Sequence, residues 1–228
     1  MTTEIQNFSS CFVKQLSNLH FENVFNPYAD TCSTYDKTDA VFIRQRNLTL
    51  VLEAALSQGV DSIWLARDLG YRGGRRTGLA LTDEVHLFWH AKLLSTPPLE
   101  QATQGTAMAE RTAAVVWNAL QLVNRPIFLW NVFPLHPHKS GNPLSNRCHT
   151  KKERKALHEL NLWLIETLNP SNVVAIGRDA QAAMVEIGIE PVKIRHPSYG
   201  GRNEFLDGLA ELYKTQSEHS KIYQGKLF

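Results

Sequence analysis

Two periods alternate along the chain: short apolar runs and longer amphipathic stretches. Ile5, Phe8, Phe12, Leu16 and Leu19 stand at near-helical spacing and predict a helix over residues 5–20. Val41, Ile43, Leu48, Leu50, Val51, Ala54 and Leu56 predict a second over 41–58, ending near Gly59. Residues 21–39, rich in Asn, Asp, Thr and Tyr, read as a surface loop. Apolar runs at 62–66, 126–132, 172–176 and 191–195 have the length of buried strands. Further helices are predicted over 105–123, 151–168, 178–187 and 204–215. The clearest is 151–168, with Leu157, Leu160, Leu164 and Ile165 on one face. Within 79–94, Thr82-Asp83-Glu84 can cap one more helix. From Gln216 onward the chain is polar and is expected to fray.

Strands alternating with helices imply parallel β–α–β units with right-handed crossovers. The expected fold class is α/β, a three-layer α/β/α arrangement around a central, mainly parallel four-stranded sheet. No linker or internal repeat divides residues 1–228. The expectation is one domain, with N-terminal helices (1–60) packed on an α/β core (61–215) and a polar tail (216–228).

Composition narrows the function. The 228 residues suffice for one large core, and no window is apolar for long enough to span a bilayer. The first residues lack the basic and apolar regions of a secretion signal, so a cytoplasmic setting is expected. Three scattered cysteines (Cys11, Cys32, Cys148) argue against a disulfide framework and cannot hold a four-cysteine iron–sulfur cluster. A net charge of +2 names no partner by itself. No cofactor, membrane or obligatory protein partner is expected, and the chain reads as a monomer.

The predicted strand ends carry the chemistry. Parallel strands place their carboxyl ends on one edge, where open α/β sheets bind ligands. Asp68 follows the first strand, Asn131 closes the second, Gly177 and Arg178 follow the third, and His196 follows the fourth. Basic residues fall on the same edge: Arg72, Arg75 and Arg76, then Lys139 and Arg147, then Arg178, Arg195 and Arg202. Such a rim suits a phosphodiester backbone. The glycine-rich loop Gly70–Gly78 has no Gly-Lys-Ser/Thr and misses the dinucleotide fingerprint. His136, His138, Cys148 and His149 are possible zinc ligands, but their spacing is not a standard one, and no metal is expected.

Four segments in order, each at a predicted strand end, resemble the uracil-DNA glycosylase superfamily. They are Arg67-Asp68-Leu69-Gly70 with the following Thr77-Gly78-Leu79, Leu129-Trp130-Asn131-Val132, Ile176-Gly177-Arg178-Asp179-Ala180-Gln181, and His196-Pro197-Ser198-Tyr199. The resemblance spans about residues 61–203. It implies a DNA glycosylase that cleaves the bond between a flipped-out base and its sugar. The sugar becomes oxocarbenium-like and the base leaves as an anion. Asp68 is then the carboxylate that faces the sugar and orients water. His196 hydrogen-bonds the departing base, and Asn131 reads the base edge. Gly70, Gly73, Gly177 and Ser198 lie near phosphates, and the loop Tyr199-Gly200-Gly201-Arg202 enters the gap left by the base.

Departures from the family bear on the substrate. The best-known uracil enzymes carry a tyrosine where this chain has Gly70, and its ring excludes substituents at C5. They stack the base on a phenylalanine where this chain has Leu81, so aromatic stacking is lost unless Tyr71 or Trp130 replaces it. Proline commonly stands at Leu69. An open Gly70 position leans toward a C5-modified pyrimidine, such as glucosylated hydroxymethylcytosine in phage DNA, the substrate of antiviral relatives. A bulky side chain folded beside Gly70 would remove that lean. Uracil repair and a non-catalytic DNA-binding relative remain open.

Overall fold

A computed structural model describes residues 2–215, so the polar tail from Gln216 lies outside the described residues. The chain begins with α1 (Thr2–Ser17), β1 (Val24–Phe25) and α2 (Ala40–Gln58). It continues through β2 (Ser62–Asp68), α3 (Gly74–Thr77), a 3-10 turn (Glu84–His86), α4 (Leu87–Leu93) and α5 (Arg111–Val123). Then come β3 (Ile127–Phe133), β4 (His136–Pro137), α6 (Lys151–Lys155) and α7 (His158–Leu168). The last elements are β5 (Asn172–Ile176), α8 (Arg178–Glu186), β6 (Val192–Ile194) and α9 (Arg202–Tyr213).

Four parallel strands form the central sheet in the order β3-β2-β5-β6. Ile63, Trp64 and Leu65 are fully buried, as expected of a strand covered on both faces. Side chains alternate between two cores. Ile63, Leu65, Phe128, Trp130 and Val132 pack toward α1, α2, α7 and α8. Trp64, Leu129, Val174, Ile176 and Ile194 pack toward α5 and α9. Each fully buried aliphatic side chain contributes roughly 1.5–3 kcal/mol. No helix among the described residues is long and apolar enough to cross a membrane.

The chain leaves β2 for β3 on one side and leaves β5 for β6 on the other. A crevice therefore opens between the ends of β2 and β5, the switch point where such sheets bind ligands. Asp68 ends β2, and Gly177 follows β5.

Several elements differ from their sequence reading. β3 runs on to Phe133, so Asn131 sits inside a strand, opposite Ala66, instead of closing it. The helix expected from 105 starts only at Arg111. Before it, the Met108 and Glu110 backbone N–H groups donate to the carboxylates of Glu84 and Asp83, so this segment's backbone is satisfied outside a helix. The long helix 151–168 is divided into α6 and α7, although Leu157, Leu160 and Leu164 stay buried across the break. β1, inside the stretch read as a surface loop, pairs antiparallel with β4 and ties the N-terminal segment to the loop after β3.

A charged pair fixes α2. Arg44 is fully buried, donates through both terminal nitrogens to Asp36 at 3.0 and 2.9 Å, and caps the carbonyls of Pro27 and Asp30. Asp36→Ala strands that guanidinium in the interior. We expect a loss of about 3–5 kcal/mol in urea unfolding.

Candidate active site

The switch-point crevice is a cleft of about 1040 Å³. Its walls include Asp68 and Gly70 from β2 and its loop, Leu81, Glu110 before α5, and Asn146 and Arg147. Gly177 and Arg178 close the β5 side, and His196, Ser198 and Tyr199 the β6 side. Residues far apart in sequence thus meet in one polar hollow.

Asp68 is held from two sides. Its Oδ1 meets Nδ1 of the buried His149, and its Oδ2 accepts from Arg67 Nε at 2.6 Å. Arg67 reaches on to Asp179 at 3.0 Å, linking the end of β2 to the start of α8. A carboxylate held this way keeps one orientation while its remaining lone pairs face the cleft.

His196 presents a defined tautomer. The Ser198 backbone N–H donates to its Nδ1 at 3.1 Å, and the Ser198 hydroxyl lies 2.7 Å from the same nitrogen. A backbone N–H can only donate, so the ring proton resides on Nε2. Burial first, then the charges of Arg67 and Arg195, push its pKa down to about 4. The ring is neutral at pH 7 and has one N–H to give. Gly177, at φ 92, packs against it: a Cβ there would stand 3.3 Å from the His196 Cβ.

Tyr199 is 97 % exposed and sits in the left-handed region at φ 53. An aromatic side chain strained into solvent at the mouth of a cleft is available to a partner. Leu81, also left-handed at φ 54, is on the cleft wall.

Several expected site residues are elsewhere. Arg75 and Arg76 are 2 % and 7 % exposed and do not form a basic rim. Arg75 stacks over Phe25 and donates to Tyr35 and Pro143, while Arg76 stacks over Tyr35 and pairs with Glu84. Both guanidinium groups are spent on anchoring α3, a helix the glycine-rich reading passed over. Tyr71 and Gly73 are not on the cleft wall, and Arg72 and Arg202 are exposed outside it. Trp130 faces the opposite core and donates to Asn161, so it cannot stack on anything in the cleft. Asn131 shares the sheet face of Ala66 and Ile176, which line the cleft, but is itself 1 % exposed. Its Oδ1 has no partner among the described residues.

The histidine-rich loop is dispersed. His149 turns to Asp68, while His136 lies between Arg75 and Asn146. Among the described residues no three His, Cys, Asp or Glu side chains are grouped to hold a metal.

Two site residues escaped the sequence reading. His149 lies 81 positions from Asp68, and no local pattern links them. Glu110 was hidden inside a helix predicted too long. Its carboxyl fills the space beside Gly70: a Cβ at Gly70 would stand 2.8 Å from Oε1, and one at Gly73 would overlap Oε2. The open space inferred from Gly70 is therefore occupied.

Comparison with known proteins places this geometry. Residues 93–222 match the model of the Uracil DNA glycosylase superfamily, more than half of the chain. The match takes in Asn131, Gly177 and His196, while the Asp68 segment precedes it. The fold is similar to the crystal structure of wild-type Pedobacter heparinus SMUG2, with a TM-score of 0.58 and 13% sequence identity. That likeness covers 96% of this chain and 99% of the other. No curated protein matches.

Proposed function

The chain belongs to the uracil-DNA glycosylase superfamily, and from that premise we propose how its cleft works as a DNA glycosylase. The observation that carries the reading is the convergence of Asp68, held by His149 and Arg67, with a neutral His196 on one cleft. The two groups serve the two halves of one bond cleavage. As the base leaves, positive charge grows on the sugar and negative charge on the base. Asp68 faces the first and orients the attacking water. His196 Nε2–H donates to the second, where a pre-aimed hydrogen bond in a dry site is worth most. His149 keeps Asp68 in position, and so acts through it.

Gly70, Gly177 and Ser198 line the phosphate track, with Arg72, Arg178 and Arg202 supplying charge outside them, since the Gly177 and Ser198 N–H groups already donate to Ile194 and His196. Tyr199 takes the place of the extruded base in the stack, and its exposure and fixed backbone support that role. Asn131 reads the base once a base reaches the cleft floor, and its unpartnered Oδ1 supports this. Arg75 and Arg76 have no part in binding DNA.

The substrate we infer is a pyrimidine, with a C5-modified cytosine of phage DNA and uracil as the two candidates. The lean toward an outsized C5 substituent that Gly70 suggested is removed, because Glu110 fills that space. The large cleft and the polar wall that Glu110 gives it support a base that carries a hydrogen-bond donor. The chain is proposed to act as a cytoplasmic monomer, without a cofactor, in defence or repair.

Mass spectrometry of bases released from uracil-containing DNA and from glucosylated-hydroxymethylcytosine phage DNA tests the reading. Release of either base supports a glycosylase and names the substrate. Tight DNA binding with release of neither overturns it in favour of a non-catalytic relative.

Gly177→Ala adds a methyl against His196 at a backbone angle that disfavours any side chain. Base release is expected to fall by about tenfold through the displaced imidazole. Thermal unfolding, measured alongside, separates this from a loss of fold.

A further inference from the structure

The wall of the cleft contains a carboxyl group that the proposed chemistry does not use. Glu110 immediately precedes α5, where its backbone N–H donates to Asp83 Oδ2 at 2.6 Å. This bond fixes the start of the helix and aims the side chain across the glycine loop. The carboxyl lies against Gly70 and Gly73, so close that a Cβ at either position would require it to move. Among the described residues its oxygens accept no hydrogen bond. The charges acting on it are Asp83 and Arg72, and the guanidinium of Arg72 is bound to the Tyr71 hydroxyl. Burial and Asp83 together hold its pKa above the usual carboxylate range.

A carboxyl with no protein donor relies on the water of the cleft, and a ligand that displaces that water leaves it unpaired at a cost unless the ligand donates in turn. The protein leaves this acceptor on the wall of the same cleft as Asp68 and His196. Asn131 Oδ1, beneath that cleft, is a second acceptor without a donor among the described residues. Both wait for hydrogen-bond donors, and the group that enters the cleft is a base.

We infer that Glu110 is a specificity-determining residue, whose carboxyl accepts a hydrogen bond from a donor on the flipped base. That donor is an exocyclic amino group, as on cytosine, or a hydroxyl on a ring substituent. Carboxylates read the cytosine amino group in this way in duplex DNA. Uracil and thymine carry neither group, and their one donor, the ring N3–H, lies away from the substituent that would face Glu110. A site built to receive a donor rejects the analogue that lacks it far more strongly than an apolar pocket rejects a change of size. The inference rests on the glycosylase reading for the identity of the ligand.

The test measures binding and release separately. Asp68→Asn protein, which retains substrate, is titrated with oligonucleotides carrying a single uracil, cytosine, 5-hydroxymethyluracil or 5-hydroxymethylcytosine. The expected result is a preference of about tenfold or more for donor-bearing bases over uracil. A preference shared by cytosine assigns the amino group. One confined to the hydroxymethyl bases assigns the hydroxyl. Adding Glu110→Gln, which keeps one acceptor, should shrink the preference, and Glu110→Leu should abolish it, with thermal unfolding confirming the fold of each. An unchanged ratio of affinities in the folded variants overturns the inference, as does a parent protein that prefers uracil. Base release by the wild-type chain is scored independently. Discrimination that depends on Glu110 without any release sinks the glycosylase reading and leaves the base-reading role standing.

Discussion

Asp68→Asn is expected to lower base release by about a thousandfold while DNA affinity changes by less than about threefold. The two sizes differ because the carboxylate acts on what appears only in the transition state. Asparagine is nearly isosteric, so the end of β2 and the cleft wall persist. It offers one acceptor where Asp68 has two oxygens, and it has no charge to set against the developing sugar cation. It also disturbs the ring it meets: His149 Nδ1 and Arg67 Nε each lose a charged acceptor. Single-turnover release and equilibrium DNA binding, measured on the same preparation, separate the effects. Release that persists undiminished would mean that another group faces the sugar. A parallel fall in binding would mean that Asp68 acts by holding the loop. His149→Ala refines the assignment. It leaves the charge on Asp68 and removes one of its two holds, so it should cost less than Asp68→Asn and mainly in kcat.

The sheet was legible in the sequence because its strands are covered on both faces. Such strands are near-continuous apolar runs, and Ile63-Trp64-Leu65 and Ile127–Val132 stand out without any knowledge of the fold. Parallel connection then places Asp68, Gly177 and His196 on one edge by topology alone. The reading erred where a side chain's job depends on tertiary neighbours. Arg75 and Arg76 look like a basic loop, but Phe25, Tyr35 and Glu84, all remote or in another turn, draw them inward. Glycine at position 70 signals empty space only if nothing else fills it. What fills it, Glu110, comes 40 positions later and is brought there by a backbone hydrogen bond to Asp83. Hydrophobic period reports which face is covered. It is silent on which polar group crosses a loop to meet another.

His196→Ala is expected to lower release by about a hundredfold to a thousandfold, the usual cost of removing one donor aimed at a developing anion. The pH dependence distinguishes this role from that of a proton-transferring histidine. An ordinary imidazole, with a pKa of about 6.5, would give a limb in the rate profile near neutrality. Here burial and the charges of Arg67 and Arg195 lower the value to about 4. The neutral ring, with its proton on Nε2, is therefore the working form at every pH well above that value. As pH falls through about 4, the ring takes a second proton at Nδ1. It then can no longer accept from the Ser198 N–H, so the bond that sets its orientation is lost. The rate should be level on this group's account from about pH 8 down to about pH 5 and should fall only below that. Ser198→Ala keeps the backbone donor and removes only the hydroxyl, so it should preserve the level region and cost little. Proton-detected NMR of the imidazole between pH 8 and 5 gives an independent reading. A single neutral tautomer protonated at Nε2 is expected throughout. A ring that titrates near 6.5, together with a limb there in the rate profile, would make His196 a general acid that gives up its proton, in place of a neutral donor that keeps it.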